Sequence, residues 1–423
     1  MPPSGGRPCR AWPGVVSSKT GAILKNRNFL NKPDSLKFCN FDFLSFSHRG
    51  KLSNMKIGNQ HYQSIWTDED DRTVIKVINQ QKLPFIFEIK ELRSVDEIYN
   101  AIDDMTVRGA PLIGAAGAFG IYLATLEINS QTNIREHLSN AARYLVSCRP
   151  TAVNLSWAVD FVLEKLKDEQ SPESLTRKAF AAAIEICDIE KENCRQIGKY
   201  GLKLIEAISR KKKGVPVNIL THCNAGWLAC IDYGTATAPI YLAHEKRIPI
   251  HVWVDETRPR NQGAKLTAYE LGQCGVPYTL IPDNTGGHLM QQKLVDIVIV
   301  GSDRTTRRGD VANKIGTYLK ALAAFDNNIP FYCALPSSSI DFKITDGLKD
   351  IIIEERNPDE VTTVTGFSDG ELRSVRICPD DTVAANFGFD ITPARLVTGL
   401  ITEKGICRAT EKDIKVMFLS KFN

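Results

Sequence analysis

The sequence of 423 residues lacks the short motifs that mark several common enzyme classes. It contains no GxxxxGK(S/T) loop, no GxGxxG after a predicted strand, no HExxH and no GxSxG. Its seven histidines form no metal-ligand cluster along the sequence. These absences argue against a P-loop nucleotide hydrolase, a dinucleotide-binding enzyme, a zinc peptidase and an α/β-hydrolase, and they predict no metal site.

The eleven cysteines are odd in number and include no CxxC pair. Such spacing fits neither a disulfide framework nor a zinc site. Cys187 and Cys333 lie in apolar runs, as reduced core cysteines do. We therefore expect a reducing compartment.

The sequence also lacks a convincing membrane-spanning segment. Its most apolar run, 110–126, is only 17 residues long and contains Pro111 and three glycines spaced by three. A bilayer-spanning helix needs about 20 apolar residues. This run therefore predicts a buried helix whose glycines form a packing face.

The net charge of +4 is unevenly distributed. Residues 1–54 carry nine Lys or Arg against two Asp, or +7, which leaves −3 on the rest of the chain. A mildly acidic body has no general attraction for nucleic acid. The basic segment 1–54 is compatible with a transit peptide, a disordered tail or a start at Met55, and it is left out of the fold prediction.

Two domains are predicted after this segment, 55–214 and 215–423, with a Lys-rich loop between them. The first domain is mixed and then helical, and the second alternates apolar strands with helices, as in a parallel sheet covered on both faces. Strands are predicted at 73–78, 85–89, 217–220, 248–254, 278–281, 297–300 and 330–334. Helices are predicted at 95–104, 114–127, 134–148, 157–168, 172–209, 236–246, 266–274 and 314–325.

Polar residues follow four successive strands of the second domain. Ligands of open parallel sheets bind beyond the carboxyl ends of the strands, and Cys223 and Asp303 occupy two such ends. A strand-end cysteine serves packing more often than chemistry. For Asp303 there are two interpretations. Its desolvated carboxyl could transfer a proton, or it could serve the structure as a helix cap or in a salt bridge to Arg304.

Basic residues precede three predicted helices, where anions bind well. Arg108 comes before Gly109 and Ala110, Arg149 before the helix at 157–168, and Lys314 follows Asn313 at the predicted start of another helix. One basic residue at such a position is usually a surface residue, but three together predict a phosphate site.

The same residues lie in segments that resemble the methylthioribose-1-phosphate isomerase family, from about Met55 to Glu411. The matching segments are VRGAPLIGAAGAFG (107–120), RPTAVNLSWAV (149–159), LTHCNAG (220–226), DETRPRNQGAKLTAYEL (255–271), GSDRTTRRGDVANKIGTY (301–318) and FDITPARLVTGLITEKG (389–405).

The resemblance implies an α/β fold with a small N-terminal β element and helical bundle, followed by a C-terminal Rossmann-like parallel sheet flanked by helices. It implies Asp303 as proton donor and Cys223 as the residue that stabilises the transition state or acts as a base. It implies a sugar-phosphate substrate, no cofactor and a homodimer. The implied substrate-binding residues are Arg108, Gly109, Ala110, Arg149, Gln262, Asn313 and Lys314.

Two other functions stay open at this point. A related isomerase would act on ribose 1,5-bisphosphate, and Arg307 and Arg308 could meet its second phosphate. A non-catalytic regulatory subunit of the translation-initiation exchange complex is similar in fold but need not keep Cys223 and Asp303 as a pair. We expect a cytoplasmic protein, with the nucleus and an organelle left open.

Overall fold

The N-terminal part of the described chain combines two small antiparallel sheets with a helical layer. The computed structural model describes residues 56–58, 60–149 and 152–421, so the predictions for 1–54 lie outside the described residues. The strands are β1 Lys56–Ile57, β2 Gln60–His61, β3 Ile65–Thr67, β4 Ile75–Ile78 and β5 Ile89–Leu92, in the sheets β1-β2 and β3-β4-β5. The helices are α1 Val95–Asp103, α2 Ala110–Leu126, α3 Ile134–Ser147, α4 Val153–Leu166 and α5 Pro172–Lys212.

Most predicted elements of this part exist, but the strand predicted at 85–89 is wrong. The chain turns there, and β5 begins only at Ile89, where it pairs antiparallel with β4. The apolar residues of the run had suggested a strand, yet Phe85 and Ile86 are exposed in the turn.

Helix α2 lies in the centre of the helical layer. Every residue from Ala110 to Thr125 is buried, as the apolar run predicted. The helix begins four residues earlier than expected, with Pro111 in its first turn, where a missing N–H costs nothing. A Cβ on Gly117 would lie 2.5 Å from Leu155 of α4, so the glycine face does let two helices approach closely.

The C-terminal part contains a seven-stranded sheet and a four-stranded sheet. Its strands are β6 Val217–Thr221, β7 Ile250–Asp255, β8 Tyr278–Ile281, β9 Ile297–Val300, β10 Arg304–Thr306, β11 Val311–Lys314, β12 Phe331–Ala334, β13 Ile340–Asp341, β14 Thr363–Ser368, β15 Glu371–Arg376, β16 Phe389–Thr392, β17 Gly399–Thr402 and β18 Gly405–Cys407. Its helices are α6 Ala238–Glu245, α7 Ala268–Gln273, α8 Thr285–Gln291, α9 Thr317–Asp326, α10 Gly347–Asp350, α11 Asp359–Thr362 and α12 Glu411–Met417.

The larger sheet has the order β18-β17-β12-β9-β6-β7-β8 and is parallel except for its edge strand β18. From β6 the chain adds β7 and β8 on one side. It then crosses back and continues through β9 and β12 on the other side, so the direction of strand addition reverses between β6 and β9.

The prediction that a helix begins at Lys314 is wrong. Asn313 and Lys314 end β11, which pairs antiparallel with β16 in the smaller sheet β13-β10-β11-β16. Gly316, with a φ of 101°, turns the chain before α9 begins at Thr317. Pairing with β16 therefore fixes the position of both residues.

The 41-residue helix α5 connects two of the hydrophobic cores. Its first half contributes Leu175 and Ile186 to the core of the helical layer, while its second half contributes Ile197 and Ile205 to the core beside the large sheet. The predicted boundary between domains 55–214 and 215–423 coincides with the end of α5 and stays a prediction. In the described residues, no helix combines the length and apolarity needed to cross a bilayer.

Candidate active site

The candidate site lies where strand addition reverses. Cys223 follows β6 and Asp303 follows β9, and these two strands are neighbours in the sheet. The crevice at such a reversal is where open α/β sheets bind ligands. Both residues line one inner cavity of about 30 Å³, together with Arg108, Gly109, Ala110 and Asn313.

An outer cavity of about 470 Å³ adjoins the inner one through a shared residue. Arg108 lines both cavities, and Gln262 lines only the outer one. The side chain of Gln262 is buried, and its Oε1 has no hydrogen-bond partner among the described residues. The predicted residue Gln262 is therefore next to the inner cavity and not in its wall.

Cys223 has a left-handed backbone, with a φ of 64°. Its N–H donates to Thr257 Oγ1 at 2.8 Å, and its carbonyl accepts from Thr267 Oγ1 at 2.6 Å. This conformation is uncommon for a residue with a side chain and is concentrated at functional sites. Burial raises the pKa of the Cys223 thiol, while Arg108 and Lys314 act to lower it.

Asp303 is a carboxyl with a perturbed environment. Burial raises its pKa, opposed by the positive charges of Lys314, Arg108 and Arg149. A carboxyl whose pKa is raised keeps its proton to higher pH than an ordinary Asp and is better suited to donate it. The alternative of a salt bridge to Arg304 is wrong, because Arg304 pairs with Asp341 at 2.5 Å.

Arg149 is a buried guanidinium with unused donors. Its Nε lies 3.4 Å from Glu354 Oε2, but neither Nε nor Nη1 has a hydrogen-bond partner in the described parts of the chain. Burial lowers the pKa of Arg149, against the attraction of Glu354. Unsatisfied buried donors of this charge suit a phosphate or another anion.

Lys314 supplies a second buried cation. Burial lowers the pKa of its ammonium, and the neighbouring Cys223 and Asp303 act to raise it. Next to it on β11, Asn313 Nδ2 donates to Thr317 Oγ1 at 2.9 Å. Lys314 therefore connects the electrostatics of the two candidate catalytic residues.

The loop before α2 brings the cation Arg108 into the wall of the inner cavity, whereas the predicted residues Arg149 and Lys314 do not line it. Arg108 Nη2 donates to the carbonyl of Asn224 at 2.6 Å, and Nη1 bonds the side chain of the same residue. Gly109 has a φ of 99°, and a Cβ there would lie 2.6 Å from Ala229 Cα. Only glycine therefore fits between Arg108 and Ala110.

Two residues near the site were not predicted from the sequence. Glu270 is fully buried and accepts hydrogen bonds from Asn224, from the backbone of Trp227 and Leu228 and from Tyr241. It lies in the family-like segment 255–271, but its partners are 29 to 46 residues away. Glu354 lies in no such segment, so no sequence signal points to its contact with Arg149.

Comparisons with known proteins show the family to which the chain belongs. Residues 106–409 match the model of the initiation factor 2 subunit family. A methylthioribose-1-phosphate isomerase of Desulfatibacillum aliphaticivorans is 56% identical over 87% of this chain and 100% of that protein. One of Gluconobacter oxydans is 54% identical over 86% of this chain and 98% of its own length.

Two solved structures are also similar to this chain. The 5-methylthioribose 1-phosphate isomerase of Pyrococcus horikoshii OT3 is 37% identical, with a TM-score of 0.72, over 86% of this chain and 97% of that one. The translation initiation factor eIF-2B subunit delta of A. fulgidus is 39% identical, with a TM-score of 0.68, over 84% and 99%. The chain belongs to the initiation factor 2 subunit family and, within it, to the methylthioribose-1-phosphate isomerases.

Proposed function

We propose that the protein is an aldose–ketose isomerase that converts 5-methylthio-ribose 1-phosphate to 5-methylthio-ribulose 1-phosphate in methionine salvage. The observation that carries the proposal is the placement of Cys223 and Asp303 at neighbouring strand ends, on one cavity. The names of relatives 53–56% identical to this chain support the substrate.

The phosphate of this substrate blocks its anomeric oxygen, so a free aldehyde cannot form by simple ring opening. Asp303 protonates the ring oxygen as the bond between C1 and that oxygen breaks. The hydrogen on C2 then moves to C1, as a proton or as a hydride, and the C2 hydroxyl returns its proton to Asp303 as the ketone forms. Cys223 acts at C1 or C2, as a base or as a polarisable group that stabilises the transition state. The raised pKa of Asp303 supports its role as donor.

Arg149, Arg108 and Lys314 hold the phosphate, which also fixes the sugar in place. The free donors of Arg149 support this assignment most directly. An inner cavity of about 30 Å³ has room for little more than a water molecule. Substrate binding therefore requires the inner cavity to open toward the outer one, where Gln262 contacts the sugar.

The alternative substrate ribose 1,5-bisphosphate has less support. Arg307 and Arg308, which could have met its second phosphate, both pair with Glu411, at 2.6 and 3.3 Å. The role of a non-catalytic regulatory subunit does not account for the pairing of Cys223 with Asp303 beside three buried or half-buried cations.

The deciding experiment is an isomerisation assay of the purified full chain with both sugar phosphates. We expect turnover of 5-methylthio-ribose 1-phosphate and little or none of the bisphosphate. If neither compound is turned over, the proposed isomerase activity is excluded. Running the reaction in D₂O separates the two routes to product. Strong incorporation of deuterium at C1 indicates proton transfer through an enediolate and would rule out a hydride shift.

Three further properties belong to the same proposal. The enzyme forms a homodimer, works in the cytoplasm, with a nuclear pool left open, and needs no cofactor. These rest on the family resemblance alone. Light scattering of the purified protein tests the dimer, and imaging of a fusion to the full chain tests the location.

A further inference from the structure

We infer that His222 is a positioning residue. It fixes the end of β6, next to Cys223, relative to the end of β11 at Lys314. The inference rests on the proposed function, because it assigns a task within the same site. His222 immediately precedes Cys223, and its ring contacts the carbonyl of Ile315, which immediately follows Lys314. One side chain therefore connects the neighbours of two functional residues that lie on different sheets.

The His222 ring is clamped on both edges. Nδ1 lies 2.9 Å from Asp255 Oδ2, and Nε2 lies 2.8 Å from the Ile315 carbonyl oxygen. A carbonyl oxygen only accepts hydrogen bonds, so Nε2 carries the hydrogen of that bond. Both His222 and Asp255 are 1% exposed or less. Loss of a hydrogen bond between buried groups leaves a polar atom unsatisfied and costs free energy.

The geometry also excludes direct chemistry by His222. Both ring nitrogens are engaged by protein acceptors, so the ring has no free polar atom to offer a substrate, although His222 borders the inner cavity. Its Cε1 packs against Gly316, where a Cβ would come within 3.0 Å. The ring therefore fills the space under the turn that follows Lys314.

A metal site at this place is disfavoured by a neighbouring ammonium. His222, Asp255 and Asp283 have ligand-type atoms within 4.8 Å of one another. However, Lys320 Nζ lies 3.1 Å from Asp255 Oδ2 and also bonds the carbonyl of Asp283. The ammonium already supplies the positive charge that a cation would bring, and it would repel a divalent ion.

Two amide substitutions separate the two edges of the clamp. In His222→Gln the amide nitrogen takes the place of Nε2 and can still donate to Ile315. In His222→Asn the amide reaches only as far as Nδ1, so it can donate to Asp255 but not to Ile315. If the link to Ile315 positions Lys314, the Asn variant loses that function and the Gln variant keeps most of it.

The test compares kcat and KM for 5-methylthio-ribose 1-phosphate, the Kd for inorganic phosphate by calorimetry, and Tm. For His222→Asn we expect KM and the phosphate Kd to rise about tenfold, the size of one lost buried hydrogen bond. For His222→Gln we expect changes within about threefold, because one donor is kept. The control His251→Asn removes a histidine of β7 that bonds Thr279 and lines neither the inner nor the outer cavity, and should leave all values unchanged.

Equal losses in the Gln and Asn variants, or an unchanged KM and phosphate Kd in His222→Asn, would overturn the inference. A wild type that binds no inorganic phosphate would overturn it too, because there would be no phosphate site to position. A wild type that binds phosphate without isomerase activity would refute the proposed function alone. The phosphate Kd of the two variants would then still decide the role of His222.

Discussion

Arg108 donates hydrogen bonds to both oxygens of Asn224, the residue next to Cys223. One nitrogen of its guanidinium bonds the side-chain oxygen, and the other donates to the backbone carbonyl at 2.6 Å. The loop that begins α2 is thereby fixed to the end of β6. Arg108 therefore has two tasks, since it shapes the backbone beside the thiol and contributes positive charge to both cavities.

Replacing Arg108 by lysine should distinguish the effect of its hydrogen bonds to Asn224 from the effect of its positive charge. Lysine keeps the charge but cannot bridge two oxygens in a fixed geometry. We expect Arg108→Lys to reduce kcat/KM about 10- to 100-fold, since the bidentate contact of the guanidinium with the two oxygens of Asn224 is lost. The measurement is steady-state kinetics with 5-methylthio-ribose 1-phosphate.

The control for this substitution is Arg195→Lys on α5, where the arginine pairs with exposed Glu192. It should have almost wild-type kinetics, because an exposed ion pair contributes little. Wild-type kcat/KM in Arg108→Lys would show that charge alone matters at this position.

Cys223→Ser tests the thiol. Serine fills nearly the same space, but its hydroxyl ionises far less readily and is less polarisable. We expect kcat to fall at least about 100-fold, in the range for losing a positioned acid–base or nucleophilic group, while phosphate binding is retained. Cys407→Ser, at a half-buried free cysteine that lines neither the inner nor the outer cavity, is the matched control. Equal activity of both variants would remove Cys223 from the mechanism.

Much of the site could be predicted because local signals were strong. The apolar strand runs ended at polar residues, and the rule for parallel sheets placed Cys223 and Asp303 at one edge. What local signals could not provide was pairing across the chain. The contact of Lys314 with β16 joins residues far apart in sequence, which is why a helix start was expected at a strand end.

The same limit applies to side-chain partners. Glu354 reaches Arg149 from 205 positions away, and nothing in the residues around either one indicates the contact. The wrong strand prediction at 85–89 has a different cause, since here a local signal was present but misleading. Its apolar residues follow a strand-like pattern, but the exposed Phe85 stacks on Phe367 at 5.2 Å between ring centroids instead of entering a sheet.

The raised pKa of Asp303 predicts the direction of a pH effect on the rate. If the protonated carboxyl starts the reaction, kcat/KM must fall as the pH rises through this raised pKa. If the pKa of Asp303 were that of an ordinary Asp, the carboxyl would already be ionised at the pH of the raised pKa. The rate would then stay flat as the pH rises through that value. Asp303→Asn cannot give up a proton and should lose activity by about 100-fold or more at every pH.

The pH–rate profile of the wild type checks this prediction, with Asp326→Asn, at the exposed end of α9, as the control. A wild-type rate that rises with pH across the same range would indicate that Asp303 works as the ionised base. The direction of that slope therefore decides between donor and base.

Glu190 provides a test that is independent of catalysis. It is 1% exposed in α5, and burial raises its pKa to about 7, against a hydrogen bond of 2.6 Å from Ser338 to Oε1. Oε2 has no hydrogen-bond partner among the described residues. Because the folded pKa exceeds the unfolded value of 4.5, the folded state binds the proton more tightly. Stability must therefore fall as the pH rises from about 4.5 to about 7.

Glu190→Gln should remove this dependence. The glutamine oxygen can still accept from Ser338, and no charge is buried at high pH. Above pH 7 we expect the free energy of unfolding to increase by about 1–3 kcal/mol, since one unit of pKa shift corresponds to about 1.4 kcal/mol. Below pH 4.5 the gain should vanish. Urea unfolding at pH 5 and pH 8.5 measures the difference, with Glu185→Gln at the exposed pair with Lys165 as the control. An equal gain at both pH values would mean that packing, and not the buried charge, distinguishes glutamine from glutamate there.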